Sequence, residues 1–289
     1  MAIIIDSDTT VLVQGITGYQ GRFHTEQMLK YGTRVVAGTS PGKGGQKVAG
    51  VPVYDTVREA VEQHHPVASI LFVPAQLGKE AAFEALEAGI KLLVIISEHI
   101  PLHDSLEIMS FARAKGAKVL GPNTFGVISS GRSKIGIMPN QFFQPGPVGV
   151  VSRSGTLGYE IVGALRAAGL GTSTVVGMGG DRVVGLNFMD VLREFEQDPE
   201  TEAIVLIGEI GGTAEEEAAA FIKEKVGKPV VAYIAGASAP PGKRMGHAGA
   251  IIERGRGTYA AKVAALRAAG VKVAELPQEV PSLLKKLLR

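Results

Sequence analysis

Apolar residues along the chain gather into short β-branched runs separated by stretches of helical period, and the alternation continues almost from end to end. In the first half, residues 10–14, 34–38, 69–73, 92–96 and 118–120 read as strands, with helices at 20–31, 56–64, 79–88 and 103–115. The strand runs are apolar at consecutive positions, the pattern of parallel strands covered on both faces. Strands alternating with helices in this way build βαβ units. Gly121-Pro-Asn123 breaks the rhythm, and a Pro-containing stretch of little helical period runs to about Gly149. A second alternation follows, with strands at 148–151, 172–176, 203–207, 230–234 and 271–274 and helices at 157–168, 188–197, 214–225 and 258–269. The pattern predicts two doubly wound α/β domains in series, 1–121 and 122–289, with no sequence repeat between them.

Bulk properties narrow the function classes. A chain of 289 residues exceeds the size at which single cores stop growing, which supports two domains. The formal net charge is +2, with Lys and Arg spread rather than blocked; this gives no footprint for nucleic acid or for an anionic membrane surface. There is no cysteine, hence no disulfide framework, no thiolate metal site and no thiol nucleophile. The N-terminus has no basic start or long apolar core, and no run reaches the length of a membrane span. The expectation is a cytoplasmic protein.

Candidate chemistry lies where strands end. Gly15-Ile-Thr-Gly-Tyr-Gln-Gly21 follows the first strand and opens the first helix, placing glycines and free helix amides where doubly wound sheets bind phosphorylated ligands. Its spacing is GxxGxxG rather than GxGxxG, and such turns also serve simply to pack a helix on a strand. After the second strand, a NAD site would carry an acidic residue for the ribose hydroxyls. Here Gly38-Thr-Ser-Pro-Gly-Lys-Gly-Gly45 carries Lys43 instead, which suits a ligand with phosphate near its ribose, NADP or coenzyme A, or else is a solvated loop lysine. Val73-Pro-Ala75 and Ile96-Ser-Glu98 end on the same edge. His99 and His103 are four apart, but Pro101 lies between them and no third ligand is evident; no metal site is expected there or at His64 and His65.

In the second half, Val150-Val-Ser-Arg-Ser-Gly-Thr-Leu-Gly-Tyr159 runs from strand to helix. Ser154 or Thr156 is a candidate N-cap, and the same turn is a candidate anion site. A hydrolase elbow needs glycine two residues on either side of its serine, and Ser152 and Thr156 occupy those places around Ser154. Glu209 stands at another strand end, before a glycine turn, and Glu215–Glu217 read as a first-turn charge set favouring the helix dipole. His247 lies in Lys243-Arg-Met-Gly-His-Ala-Gly-Ala-Ile-Ile252. A loop histidine can cap a turn; one with a pKa near 6.5 is also largely neutral at pH 7 and can attack phosphorus through one ring nitrogen. Glu209, if within reach, fixes its tautomer.

Taken together, Gln14–Gly21, Thr39–Gly45, Gly121–Asn123, Val151–Leu157, Gly208–Gly212 and Gly242–Ile252 resemble the α subunits of succinyl-CoA synthetases over essentially the full chain. The resemblance implies a Rossmann-like CoA-binding domain followed by a flavodoxin-like ligase domain. It also implies a β-subunit partner with an ATP-grasp fold that carries the ADP or GDP site and its Mg2+. Thr17, Gly18, Tyr19, Gln20, Lys43, Ile96, Ser97 and Glu98 would contact CoA. Ser154 and Gly155 would hold phosphate, Tyr159 would lie at the succinate site shared with the partner, and His247 would be phosphorylated beside Glu209. The chain departs from the family's pattern at Thr124, where relatives often carry cysteine, and at Tyr19, where they carry a smaller residue. The implied reaction interconverts succinyl-CoA, phosphate and NDP with succinate, CoA and NTP. The alternatives are a related acyl-CoA ligase acting on malate or another short acid, a CoA- or NADP-binding regulatory module without a covalent step, and, last, an NADP oxidoreductase.

Overall fold

The computed structural model describes residues 2–240, 242–253 and 255–288. The first apolar runs become β1 (Thr10–Gln14), α1 (Tyr19–Tyr31) and β2 (Arg34–Thr39), followed by two short strands, β3 (Lys47–Val48) and β4 (Val51–Tyr54). Next come α2 (Val57–His64), β5 (Ala68–Leu71), α3 (Gly78–Glu87), β6 (Leu92–Ile95), α4 (Leu102–Ala114) and β7 (Lys118–Leu120). Thr56 does not enter α2: its hydroxyl accepts the Glu59 amide while the Glu59 carboxylate returns to the Thr56 amide, so the helix starts one residue later.

The first sheet runs β3-β4-β2-β1-β5-β6-β7, and apart from the antiparallel β3 its strands are parallel. Leaving out β3, this is the 3-2-1-4-5-6 order of a Rossmann sheet, whose connections reverse direction between β1 and β5. The two-residue strand period sorts the core. Val11 and Val13 of β1 join the cluster containing Met28 of α1, and Leu12 faces the cluster built from α2, α3 and α4.

The segment read as irregular contains a hairpin, β8 (Gly126–Ser129) and β9 (Ser133–Gly136). Then follow β10 (Pro145–Ser152), α5 (Gly155–Ala167), β11 (Thr172–Gly177), α6 (Phe188–Gln197), β12 (Ala203–Glu209), α7 (Ala214–Lys225), β13 (Val230–Ala235), α8 (Tyr259–Ala268), β14 (Lys272–Ala274) and a C-terminal α9 (Val280–Leu287). The second sheet runs β14-β13-β12-β10-β11-β8-β9. Its parallel part has the 2-1-3-4-5 order of flavodoxin-like folds, with the reversal between β10 and β12. The hairpin continues this sheet antiparallel to β11. All seven residues of β12 are buried, with Ile204 and Leu206 on one face and Ala203, Val205 and Ile207 on the other, towards α5 and α9.

The hairpin also joins the halves. Thr33 donates its hydroxyl to the Lys134 carbonyl at 2.7 Å and accepts the Lys134 amide at 3.0 Å. The fully buried Lys134 ammonium donates to Met138 O at 2.9 Å and to Asn140 Oδ1, and Asn140 donates to Gln27 O in α1. Val127 and Ile135 extend the α1-side core into the second sheet. Among the described residues no helix is long and apolar enough to cross a membrane.

Candidate active site

Both sheets open a crevice where their strand order reverses, beyond the carboxyl ends of the strands. In the second sheet that crevice is bounded by Arg153, just past β10, and by Glu209, the last residue of β12. Their side chains are 9% and 8% exposed, and Arg153 Nε lies 3.2 Å from Glu209 Oε1. His247 reaches the same carboxylate from the loop between β13 and α8, with Nδ1 2.8 Å from Oε2 and 3.1 Å from Oε1. A carboxylate only accepts, so Nδ1 carries the hydrogen and Nε2 keeps its lone pair in the neutral ring.

The ring is seated as well as bonded. A Cβ at Gly180 would lie 2.4 Å from His247 Cγ and 2.5 Å from Cδ2, so the imidazole rests against that glycine. Gly180 is itself fixed: its amide donates to Asn123 O at 3.1 Å and its carbonyl accepts the Gly249 amide at 3.3 Å. Asn123 also donates its side-chain amide to Asp181 Oδ1 at 3.2 Å, and Arg153 Nη2 donates to Asp181 O at 3.3 Å.

These contacts change the expected charge of the histidine. The hydrogen bond to Glu209 is the largest influence and raises the His247 pKa above its ordinary value, against partial burial, which lowers it. The largely neutral imidazole expected from the sequence is therefore more protonated near pH 7, because a buried carboxylate favours the cation. Burial raises the Asp181 carboxyl, opposed by its bond from Asn123.

Of the two candidate caps, Ser154 is the one used: its hydroxyl accepts the Leu157 amide at 3.3 Å and Gly155 begins α5. Tyr159, one turn on, packs its ring edge-on to Phe125 with centroids 5.6 Å apart, and burial pushes its phenol up to about 12. A cleft of about 1040 Å³ opens beside the histidine loop, lined by Arg153, Arg182, Arg256, Thr213, Gly249 and Glu253 among others. Glu215, read from the sequence as part of a first-turn charge set favouring the helix dipole, does lie in the first turn of α7 and is fully buried there.

At the first sheet's reversal, Gly15 adopts φ +74°, and a Cβ there would lie 2.4 Å from the Phe72 carbonyl oxygen. Only glycine allows that turn to approach β5 so closely. Thr17 donates its hydroxyl to Ser40 Oγ at 2.9 Å, and Gly18, Tyr19 and Gln20 are exposed, Tyr19 by 83%. The Gly18 cap supplies no side-chain acceptor to the first turn of α1, which leaves helix amides for an anion. Lys43 is exposed on a loop held by Asp55, whose Oδ1 accepts the Lys43 and Gly44 amides at 2.9 Å each. Ser97 donates its hydroxyl to Val73 O; Ile96 is half-buried and Glu98 exposed. The structure thus brings these residues to one edge, and Asn123 joins that edge to the histidine by donating its amide to Ser97 O at 3.0 Å. Away from it, His103 lies beside Glu107 at 3.3 Å rather than beside His99, and Lys79 faces both Asp104 and Glu107.

Sequence reasoning gave no role to Arg153, Gly180, Asp181 or Asn123. Asn123 and Arg153 sit in motifs singled out above; Gly180-Asp181 lies in the loop after β11, separated from its last residue by Met178 and Gly179, and that place beyond a strand end was the available signal.

A CoA binding domain family matches residues 6–99 and a CoA-ligase family residues 151–272. Over 288 residues the chain is 58% identical to a succinate–CoA ligase [ADP-forming] subunit alpha 2 of Archaeoglobus fulgidus, covering 100% of both chains. The chain belongs to the succinate–CoA ligase α-subunit family. It is 59% identical to the corresponding α subunit of Methanothermobacter thermautotrophicus, with 96% of this chain and 94% of that one covered. Among solved structures, ATP citrate lyase from Methanothrix soehngenii, in complex with citrate and coenzyme A, superposes with TM-score 0.89 at 27% identity. The match covers 98% of this family member but only 51% of the lyase chain. A dinucleotide-forming acetyl-coenzyme A synthetase of Ca. Korarchaeum cryptofilum shares the fold, with TM-score 0.77 at 20% identity over 97% of this chain and 61% of that one.

Proposed function

We propose that this chain is the α subunit of an ADP-forming succinate–CoA ligase, with residues 1–121 binding CoA and 122–289 carrying a phosphohistidine at His247. The observation that carries the reading is the His247 ring, bonded through Nδ1 to the buried Glu209 carboxylate with Nε2 left as nucleophile. Phosphate attacks the thioester carbonyl of succinyl-CoA, the C–S bond breaks, and CoA leaves as thiolate from the edge formed by Thr17, Gly18, Tyr19, Gln20, Lys43, Ile96, Ser97 and Glu98. His247 Nε2 then attacks the phosphorus of succinyl phosphate; the P–O bond to the acyl group breaks and succinate leaves. The ring becomes a phosphoimidazolium with its hydrogen on Nδ1. Glu209 stabilises that cation where it forms, as a fixed carboxylate does beside any catalytic histidine.

Ser154, Gly155 and the start of α5 supply amides for phosphate oxygens, and Tyr159 borders the acid. The phosphoryl group passes next to a nucleoside diphosphate on a partner β subunit of ATP-grasp type. The Mg2+ that accompanies the nucleotide belongs there too: near His247, Glu209 faces Arg153 and Asp181 accepts from Asn123. ADP rather than GDP is favoured by the relatives, which are ADP-forming. The cytoplasm fits substrates of this kind.

The test is phosphorylation of the co-purified αβ complex by succinyl-CoA and labelled phosphate. An acid-labile phosphoprotein, lost in His247→Asn, is expected. In Glu209→Gln its formation slows by up to about 150-fold, the glutamine leaving at most a neutral hydrogen bond in place of a charged one worth about 1.5–3 kcal/mol. The acid limb of the Glu209→Gln rate profile also moves to lower pH, because the group that raises the histidine pKa has been neutralised. Phosphorylation of His247→Asn at an undiminished rate overturns the reading.

A further inference from the structure

Behind Glu209 lies a buried ion pair that none of these steps uses. Lys262 of α8 and Glu215 of α7 both have side chains with 0% exposure, and the Lys262 ammonium donates to Glu215 Oε2. It also donates to Glu216 Oε2 at 3.0 Å and to the Gly212 carbonyl at 3.1 Å. Glu215 turns its other oxygen, Oε1, to accept the backbone amide of Glu209 at 3.2 Å. Space for this is provided at Gly208, where a Cβ would lie 2.6 Å from Glu215 Cγ.

The two ends of the pair hold the two halves of the histidine site. At one end, Glu215 fixes the backbone from which the Glu209 carboxylate projects. At the other, Lys262 fixes the Gly211-Gly212 turn, and the histidine loop lies against that turn: a Cβ at Gly211 would fall 2.1 Å from Gly249 O and 2.8 Å from Ile251 N. The turn is tied again by Gly211 N donating to Gly257 O at 2.8 Å. Taking two charges wholly out of water is costly, and apolar residues of the same volume often serve stability as well. The use of such a pair here is better explained by what its hydrogen bonds position.

We propose that Lys262 and Glu215 are positioning residues for the phosphoryl relay, setting the Glu209 backbone and the bed of the histidine loop at the spacing that brings the Glu209 carboxylate to His247 Nδ1. The proposal rests on His247 being the phosphoryl carrier. Neither residue is given a contact with substrate; both act on the spacing between the Glu209 carboxylate and His247, Glu215 from the Glu209 backbone and Lys262 from the bed of the histidine loop.

The test is a coupling cycle in the αβ complex. A single change strands one buried charge and can prevent folding, so the probe is the charge-free double variant Glu215→Leu/Lys262→Met, made in wild-type and Glu209→Gln backgrounds. The double variant is expected to keep wild-type affinity for CoA and to phosphorylate His247 about 10- to 100-fold more slowly, the scale of a misplacement near 1 Å. The acid limb of its rate profile moves to lower pH, as in Glu209→Gln, while Arg153 and Asp181, the other charges facing the ring, are unchanged. In the Glu209→Gln background it adds less than about two-fold, because residues acting through one another are not additive. An equal loss in both backgrounds, an unmoved acid limb, or a wild-type rate overturns the proposal. His247→Asn, measured alongside, reports separately on the carrier: label surviving in that variant sinks the phosphohistidine reading itself.

Discussion

Replacing Gly180 with alanine puts one methyl group against the His247 ring. The backbone tolerates it, since Gly180 is outside the left-handed region, and its amide keeps the bond to Asn123 O. The methyl carbon, however, would lie 2.4 Å from His247 Cγ, where ordinary contact begins at 3.4 Å. The ring must withdraw by about 1 Å, which stretches the 2.8 Å contact with Glu209 beyond hydrogen-bonding range. A hydrogen bond to a charged partner is worth about 1.5–3 kcal/mol, so phosphorylation of His247 slows about 10- to 150-fold. The assay is rapid-quench labelling of the αβ complex from succinyl-CoA and labelled phosphate, with CoA affinity by calorimetry and the melting temperature as controls. Both controls stay at wild-type values, because the methyl group meets the ring and not the core. A Gly180→Ala complex labelled within about two-fold of the wild-type rate refutes the claim that the seating of the ring, and not merely the presence of a histidine and a glutamate, governs transfer.

Ser154→Ala removes the hydroxyl that caps α5 and is expected to lower stability by about 1 kcal/mol, read by urea unfolding. Gly15→Ala forces a side chain into φ +74° against the Phe72 carbonyl; a loss of about 1–3 kcal/mol and weakened CoA binding are expected, and unchanged calorimetric titration refutes the role of that turn. Burial lowers the Lys134 pKa from 10.5 to about 8. The unfolded chain therefore holds this proton to higher pH than the folded one, and the wild type gains stability as pH rises from about 8 to 10.5. Lys134→Met lacks this gain, so the stability difference between the two moves in favour of the wild type by about 3 kcal/mol across that range. Urea unfolding at pH 7.5 and 10.5 checks it; a difference that does not change with pH contradicts it.

The alternation of strand and helix was legible because parallel strands buried on both faces need consecutive apolar residues, and β1, β7, α6 and α7 begin and end where the pattern puts them. The hairpin was not legible. Its strands read Gly126-Val-Ile-Ser129 and Ser133-Lys-Ile-Gly136, and a fully buried lysine in the middle of a short strand is explained only by Met138 and Asn140, which the fold brings to it. Helix α9 is eight residues long with Pro281 at its second position, a favourable helix start but a faint periodic signal. The same division holds at the site. The strand-end rule brings Glu209 and the histidine loop to one edge and collects Thr17, Lys43 and Ser97 on another. It is silent about Gly180 beneath the ring, about Arg153 beside the carboxylate, and about the Lys262–Glu215 pair, because each depends on side chains meeting across elements far apart in sequence. Glu215 shows the limit most clearly: three acidic residues open one helix, and only packing separates the buried one from its neighbours.

The loop that carries His247 is also a leash of known length. It is tied down at Gly236, after β13, and at Thr258, the cap of α8, and the histidine stands midway, eleven residues from either tie. A fully extended chain spans at most about 3.3–3.6 Å per residue, so neither arm can pay out more than about 36–40 Å. Every point the His247 Cα visits lies inside the overlap of two spheres of that radius centred on the ends of β13 and α8, and the imidazole adds only the length of its side chain. If His247 is the carrier proposed above, covalent geometry alone fixes the outer limit for any second station of its phosphoryl group.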